Sequence, residues 1–220
     1  MQEVLFVIYY SCIVLSVIIG IRRYGEFDRA TRALVALLFV IAVCEFIAFI
    51  LYKTKHYTER PVVYHFACIL RLILVTIYFI RLLKPSGTNK LIATILFLWP
   101  AIGLLNIAFL QPITALNTNM LMVESFSVIT MSLYSIYWMI KSDQEVGVFI
   151  NTHFWICIIW CILFSSTFFF WAFIKILYKN HWTHMNTVLT LQVFINVLVY
   201  FGIALVLFFY PKKINALENG

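Results

Sequence analysis

Three ionisable side chains, Glu45, Arg71 and Glu124, sit inside apolar stretches long enough to cross a lipid bilayer. A charge in hydrocarbon costs several kcal/mol, about 2.5–3.5 on insertion scales, so such residues pair, face a bundle interior or mark a functional path. Two carboxylates and one guanidinium can form an ion pair and leave one acid over, whose natural partner is a proton or a cation. Neutral polar residues lie at similar depth: Asn106, Thr167 beside Ser165 and Ser166, Gln192 and Asn196. Gln192, Asn196 and Tyr200 recur every fourth residue, which is one stripe down a helix. Tyr64, Cys68, Arg71, Val75 and Tyr78 keep a 4-3-4-3 spacing, a single seam. Glu124, Ser127 and Met131 share one side of their segment. Lipid cannot satisfy these groups, so the stripes should face one another. Three roles fit: hydrogen-bond and ion-pair glue between helices, a cavity for a small polar ligand, or a proton or ion pathway.

The elements that position these residues must be transmembrane helices. The chain has 220 residues, 64% of them hydrophobic and 11% charged, with a mean hydropathy of +0.98. A soluble domain is about half apolar and a quarter charged. Seven apolar windows stand out: 4–20, 31–52, 62–83, 91–110, 119–140, 151–177 and 186–210. A helix crosses the hydrocarbon core in about 20 residues, whereas barrel strands run to about ten with alternating polarity. The expected fold is therefore all-α, a seven-transmembrane-helix bundle forming a single domain over 1–220. The first window has no basic leader and no small-residue cleavage site, so it is expected to stay as a helix. Pro85 and Gly87 stop the third helix, Pro112 follows the fourth, and Pro100 with Gly103 predicts a kink within the fourth. The run Phe168–Trp171 reads as part of an interfacial aromatic belt.

Lys and Arg in the short loops set the orientation. With the N-terminus outside, the inner side carries ten of them: Arg22, Arg23, Arg29, Arg32, Arg81, Lys84, Lys90, Lys141, Lys212 and Lys213. The outer side carries five, Lys53, Lys55, Arg60, Lys175 and Lys179. The positive-inside rule then places the N-terminus outside and the C-terminus inside. The net charge of +7 is a topology signal of these loops, so no nucleic-acid partner is expected.

The residue types needed for several chemistries are missing. The last helix has no lysine to hold retinal, and the only aspartates, Asp28 and Asp143, fall in loops. No phosphate-binding loop, zinc-protease motif or nucleophile elbow occurs. Paired three-helix repeats with matching proline kinks, as in small sugar transporters, are not visible. His56, His65, His181 and His184 lie near the outer surface and His153 near the inner one, without a spacing that fixes metal geometry. Neither a metal nor a cofactor is expected. Cys12, Cys44, Cys68, Cys157 and Cys161 all fall inside windows and read as packing residues.

Phe154-Trp155-Ile156-Cys157, Phe164-Ser165-Ser166-Thr167, Glu124-Ser125, the segment Asn196 to Tyr200, Tyr64-His65 and Glu45 together resemble a family of small, uncharacterised seven-helix inner-membrane proteins of Gram-negative bacteria. The resemblance spans nearly the whole chain. Family members tend to carry Glu where this chain has Arg71, and Asn where it has Cys157 and Thr167, which implies that one acid has been exchanged for a base. The family is similar to proteins found beside sensor kinases, which implies a signalling context.

The residues and the resemblance together lead to an expectation of a non-catalytic sensory or regulatory membrane protein. Its outer-half polar cluster of Glu45, Arg71, Glu124, Asn106, Thr167, Gln192, Asn196 and Tyr200 would bind a small polar ligand. Its partners would be the bilayer and a signalling protein docked at 21–30 and 84–90. The alternatives are a small secondary transporter or ion-conducting protein built on the same cluster, and a structural subunit of a membrane complex.

Overall fold

Strong apolar runs with few helix breakers leave the backbone little choice but to bond to itself inside lipid. The computed structural model describes residues 2–83, 98, 101–115, 117–142, 148–179 and 185–211. Among these there is no strand. The helices are α1 (Gln2–Arg22), α2 (Arg29–Lys53), α3 (Arg60–Leu82), α4 (Ala101–Leu110), α5 (Thr118–Ser142), α6 (Thr152–Lys179) and α7 (Met185–Phe208). Six of the seven, all but α4, are long and apolar enough to span a membrane. Residues 84–97 with the Pro85–Gly87 stop, Pro100, Asp143 to Gly147, His181, His184, Lys212 and Lys213 lie outside the described residues.

Local chemistry sets the helix ends. Asp28 caps α2, its Oδ1 accepting the Thr31 backbone N–H at 2.7 Å. The other end of α2 closes with paired turns: His56 N–H donates to Leu51 O at 2.9 Å and Lys55 N–H to Tyr52 O at 3.2 Å. That pattern requires a left-handed residue after the helix, and Lys55 takes the position at φ 65°. Pro61 sits in the first turn of α3, where its missing N–H costs nothing. The last turn of α4, Asn106–Leu110, is widened into a π-turn.

The helices close into a ring. α1 packs on α2, α2 on α3, α3 on α5, α5 on α6, α6 on α7, and α7 returns to α1. The described part of α4 lies against α3 and α5, where Gly103 allows a close approach. A Cβ there would come within 2.6 Å of Met120 Cε on α5, with Ile69 of α3 at 3.7 Å. Every spanning helix turns large apolar side chains outward, among them Val7, Phe46, Phe66, Phe126, Ile162 and Leu198. In water this surface would aggregate; in hydrocarbon it is the solvated face.

The end of the ring bearing the α1–α2 turn is tied by one arginine. Arg23 donates through its guanidinium to Leu207 O (2.8 Å), Phe208 O and Tyr210 O (2.7 Å), and Nε donates to Glu26 Oε2 (2.9 Å). A cation on the terminal carbonyls of α7 also complements the helix dipole. Arg23→Ala is expected to destabilise the detergent-solubilised protein by about 1.5–3 kcal/mol, the range for bonds to a charged donor. Arg23→Lys should recover little, because an ammonium cannot fork across three carbonyls. Equal melting temperatures for wild type and Arg23→Ala would contradict this role.

Candidate functional site

The ring encloses a cavity of about 460 Å³. Its wall includes Glu45 from α2, Arg71 from α3, Glu124 from α5, Thr167 from α6, and Gln192, Asn196 and Tyr200 from α7. Arg71 is committed to one of the two acids. Its Nε–H donates to Glu124 Oε1 at 2.9 Å and its Nη2 to Oε2 at 2.7 Å, a two-pronged fork. Glu124 is buried to 1% exposure, and Cys68 Sγ also donates to its Oε2 at 3.1 Å. The seam on α3 makes this possible, because Cys68 and Arg71 are one turn apart and face α5.

Glu45 is placed differently. Among the described residues it has no ion-pair partner; the Tyr9 and Tyr64 hydroxyls flank it, with Arg71 and Arg60 as the surrounding cations. Two acids and two bases therefore line the cavity, but only Arg71 and Glu124 are joined. On α7, Gln192 Nε2 donates to Thr167 Oγ1 at 3.2 Å and to Asn196 Oδ1 at 3.4 Å. Every fourth residue of α7 thus reaches the same space.

Toward the α2–α3 turn the wall continues through Arg60, Pro61, Trp171 and the exposed Tyr57. Asn117, the residue before α5, also lines it. It is 1% exposed, yet neither its Oδ1 nor its Nδ2 has a hydrogen-bond partner. A buried amide left unsatisfied costs about 1–3 kcal/mol, so this group stands ready for something in the cavity.

At the opposite end Val75, Leu34, Trp160 and Ile203 line the cavity. Trp160 packs on Tyr78 at 4.7 Å between ring centroids and on Phe79 at 5.5 Å. Both Tyr78 and Phe79 are fully buried, so the aromatic group forms an apolar plug. From the plug a polar chain runs to the end of the ring. The Tyr78 hydroxyl lies 3.0 Å from His153 Nδ1, and His153 Nε2 lies 2.9 Å from Asp28 Oδ2. Burial alone would raise the Asp28 carboxyl. The His153 hydrogen bond and charge outweigh it, helped by the Thr31 amide, and hold the carboxyl well below the usual carboxylate range.

Seven of the eight residues expected in the polar cluster meet at this cavity. Asn106 does not: it accepts from Asn119 Nδ2 at 3.3 Å in a knot joining α4 to the start of α5. Gln111 joins the same knot, donating to Thr118 Oγ1 at 3.3 Å. The aromatic run at 168–171 divides by helical turn, with Phe170 and Trp171 on the cavity and Phe169 60% exposed. His65 is fully buried and bonds to Ala115 O at 3.1 Å, and His56 pairs with Glu59 at 3.0 Å on the surface. No three His, Cys, Asp or Glu converge among the described residues. Sequence did not place Tyr9, Arg60 or Asn117 at the cavity, nor join Tyr78 to His153 and Asp28, because those links run between residues far apart along the chain. No family model, curated protein or solved structure matches this chain.

Asp28 gives a pH signature. Its carboxyl titrates lower in the folded chain than the unfolded value of about 3.9. Its stabilisation is therefore fully present above about pH 4 and is lost as the pH falls below that. The melting-temperature difference between wild type and Asp28→Asn should shrink on acidification through that window. A difference constant from pH 7 to pH 3 would show that Asp28 is not held by His153.

Proposed function

We propose that this chain is a non-catalytic sensory or regulatory membrane protein that binds a small polar solute in the ring cavity. The basic loops support an inner-membrane orientation with the N-terminus outside, and the cavity mouth at Tyr57 and Arg60 then faces outward. The volume falls within the roughly 300–1,000 Å³ of small-molecule sites. The family resemblance, with its signalling context, agrees with this reading.

The observation that carries it is the position of Trp160. One face of this side chain lines the cavity, and the ring packs on Tyr78, the first member of the chain through His153 to Asp28. A solute that shifts Trp160 acts on α2, α3 and α6 together at the 21–30 turn, where a protein partner would read the change. Differential contacts of about 1–3 kcal/mol are enough for such coupling. The other predicted docking loop, 84–90, lies outside the described residues. The buried side chains of Val75, Tyr78, Phe79 and Trp160 close this end of the cavity, which favours binding over conduction.

Native mass spectrometry of the chain released gently from membranes tests this. Wild type should carry a small-molecule adduct, and Asn196→Leu, which removes one polar wall group at nearly constant volume, should lose it. A bare chain, or a stoichiometric protein partner with no small adduct, would overturn the binding reading in favour of a structural subunit. Accumulation of the recovered solute by proteoliposomes would overturn it in favour of a transporter.

A further inference from the structure

The charges that line the cavity fall into one closed pair and two open ends. Arg71 and Glu124 neutralise each other through the fork at 2.7 and 2.9 Å. Glu45 and Arg60 remain, both on the wall and opposite in sign, with no ion pair between them. The Tyr64 hydroxyl stands between the two, neighbouring both Glu45 and Arg60. The Arg60 guanidinium stacks over the Tyr52 ring at 5.3 Å, and its buried Nε has no hydrogen-bond partner among the described residues. The cavity wall also includes Asn117, whose buried amide is unpartnered at both atoms among the described residues, and Leu121 in the first turn of the 25-residue helix α5. A helix N-terminus carries partial positive charge and favours a carboxylate. Glu45 lies deeper, about 12 Å along α2 from its Lys53 end.

A lone cation would satisfy Glu45 and leave Arg60 and Asn117 as they are. A lone anion would do the reverse. Only a solute bearing both charges closes both ends, and the cavity as a whole is then neutral. The remaining wall is apolar, including Leu38, Ile41, Leu121, Leu163 and Phe164. We infer that the cavity binds a free amino acid with an apolar side chain, its ammonium on Glu45 among the Tyr9 and Tyr64 hydroxyls and its carboxylate on Arg60 and Asn117. The inference rests on the cavity being a binding site. The same pairing of ammonium and anion occurs in an ethanolamine phospholipid headgroup, for which phosphoethanolamine is the soluble stand-in.

The test uses the full chain in detergent, with thermal shift and tryptophan fluorescence as readouts, since Trp160 and Trp171 both line the cavity. The probes are L-leucine and L-phenylalanine, each with its decarboxylated amine and its deaminated acid, plus phosphoethanolamine. At least one amino acid should raise the melting temperature and change the fluorescence, while its amine and its acid do neither at the same concentration. Glu45→Gln and Arg60→Gln should each weaken binding by about tenfold or more, as loss of a charged contact demands. Neither residue is ion-paired, so both variants should fold, and His56→Gln, outside the cavity, should bind as wild type does. Equal binding of an amine or an acid analogue, or unchanged affinity in Arg60→Gln, would overturn the inference. Tighter binding of phosphoethanolamine would overturn it in favour of a lipid headgroup. If no probe binds while native mass spectrometry finds an adduct, the amino-acid inference fails and the binding reading stands; if neither is seen, both fail.

Discussion

The fork between Arg71 and Glu124 is the constraint on which the interior depends. A charge cannot be left alone in hydrocarbon, and these two residues lie on different helices, 53 positions apart in the chain. Their meeting brings α3 against α5, although α4 lies between them in sequence. The described part of α4 is held to α3 and α5 by the close approach at Gly103 and by the Asn106–Asn119 knot. The six remaining helices close the ring, and the inward faces of α1, α2, α6 and α7 become the wall of one cavity. Buried ion pairs contribute little net stability, but a single unmatched member is costly. The fork therefore acts mainly on arrangement: it selects the packing in which both charges are matched.

Matching one acid to one base also decides what the cavity can do. Had Arg71 been shared between Glu45 and Glu124, the wall would carry no free carboxylate. With the fork closed, Glu45 keeps the Tyr9 and Tyr64 hydroxyls beside it and no ion-pair partner among the described residues, and Arg60 Nε and the Asn117 amide have no hydrogen-bond partner there. At the other end the aromatic plug gives way to the His153–Asp28 chain, so the cavity wall and the capped start of α2 share a set of directly touching side chains.

Much of the fold was legible because lipid imposes lengths. Six of the seven spans read from hydropathy agree with the observed helices to within a few residues, since about 20 apolar residues are needed whatever the neighbours are; most of the first half of the fourth lies outside the described residues. The stripe on α7 and the seam on α3 were legible for a related reason: helical periodicity fixes azimuth within one element. Neighbour order was not legible. Nothing in the sequence distinguished Glu45 from Glu124 as the partner of Arg71, because both acids lie within apolar windows and α3 packs against both of their helices. Asn106 misled in the same way, its depth being informative and its side of the bundle unknown. The Tyr78–His153–Asp28 chain joins residues 75 and 125 positions apart at helix ends, where polar residues are ordinary and carry no signal of their own.

A double-mutant cycle on Arg71→Met and Glu124→Leu, read as unfolding free energy in detergent, tests the central claim most directly. Each single substitution should cost about 3–5 kcal/mol by stranding a buried charge, and the double should recover most of that loss. Strictly additive losses, or a coupling that appears only when Glu45 replaces Glu124 in the cycle, would show that the fork does not organise the ring.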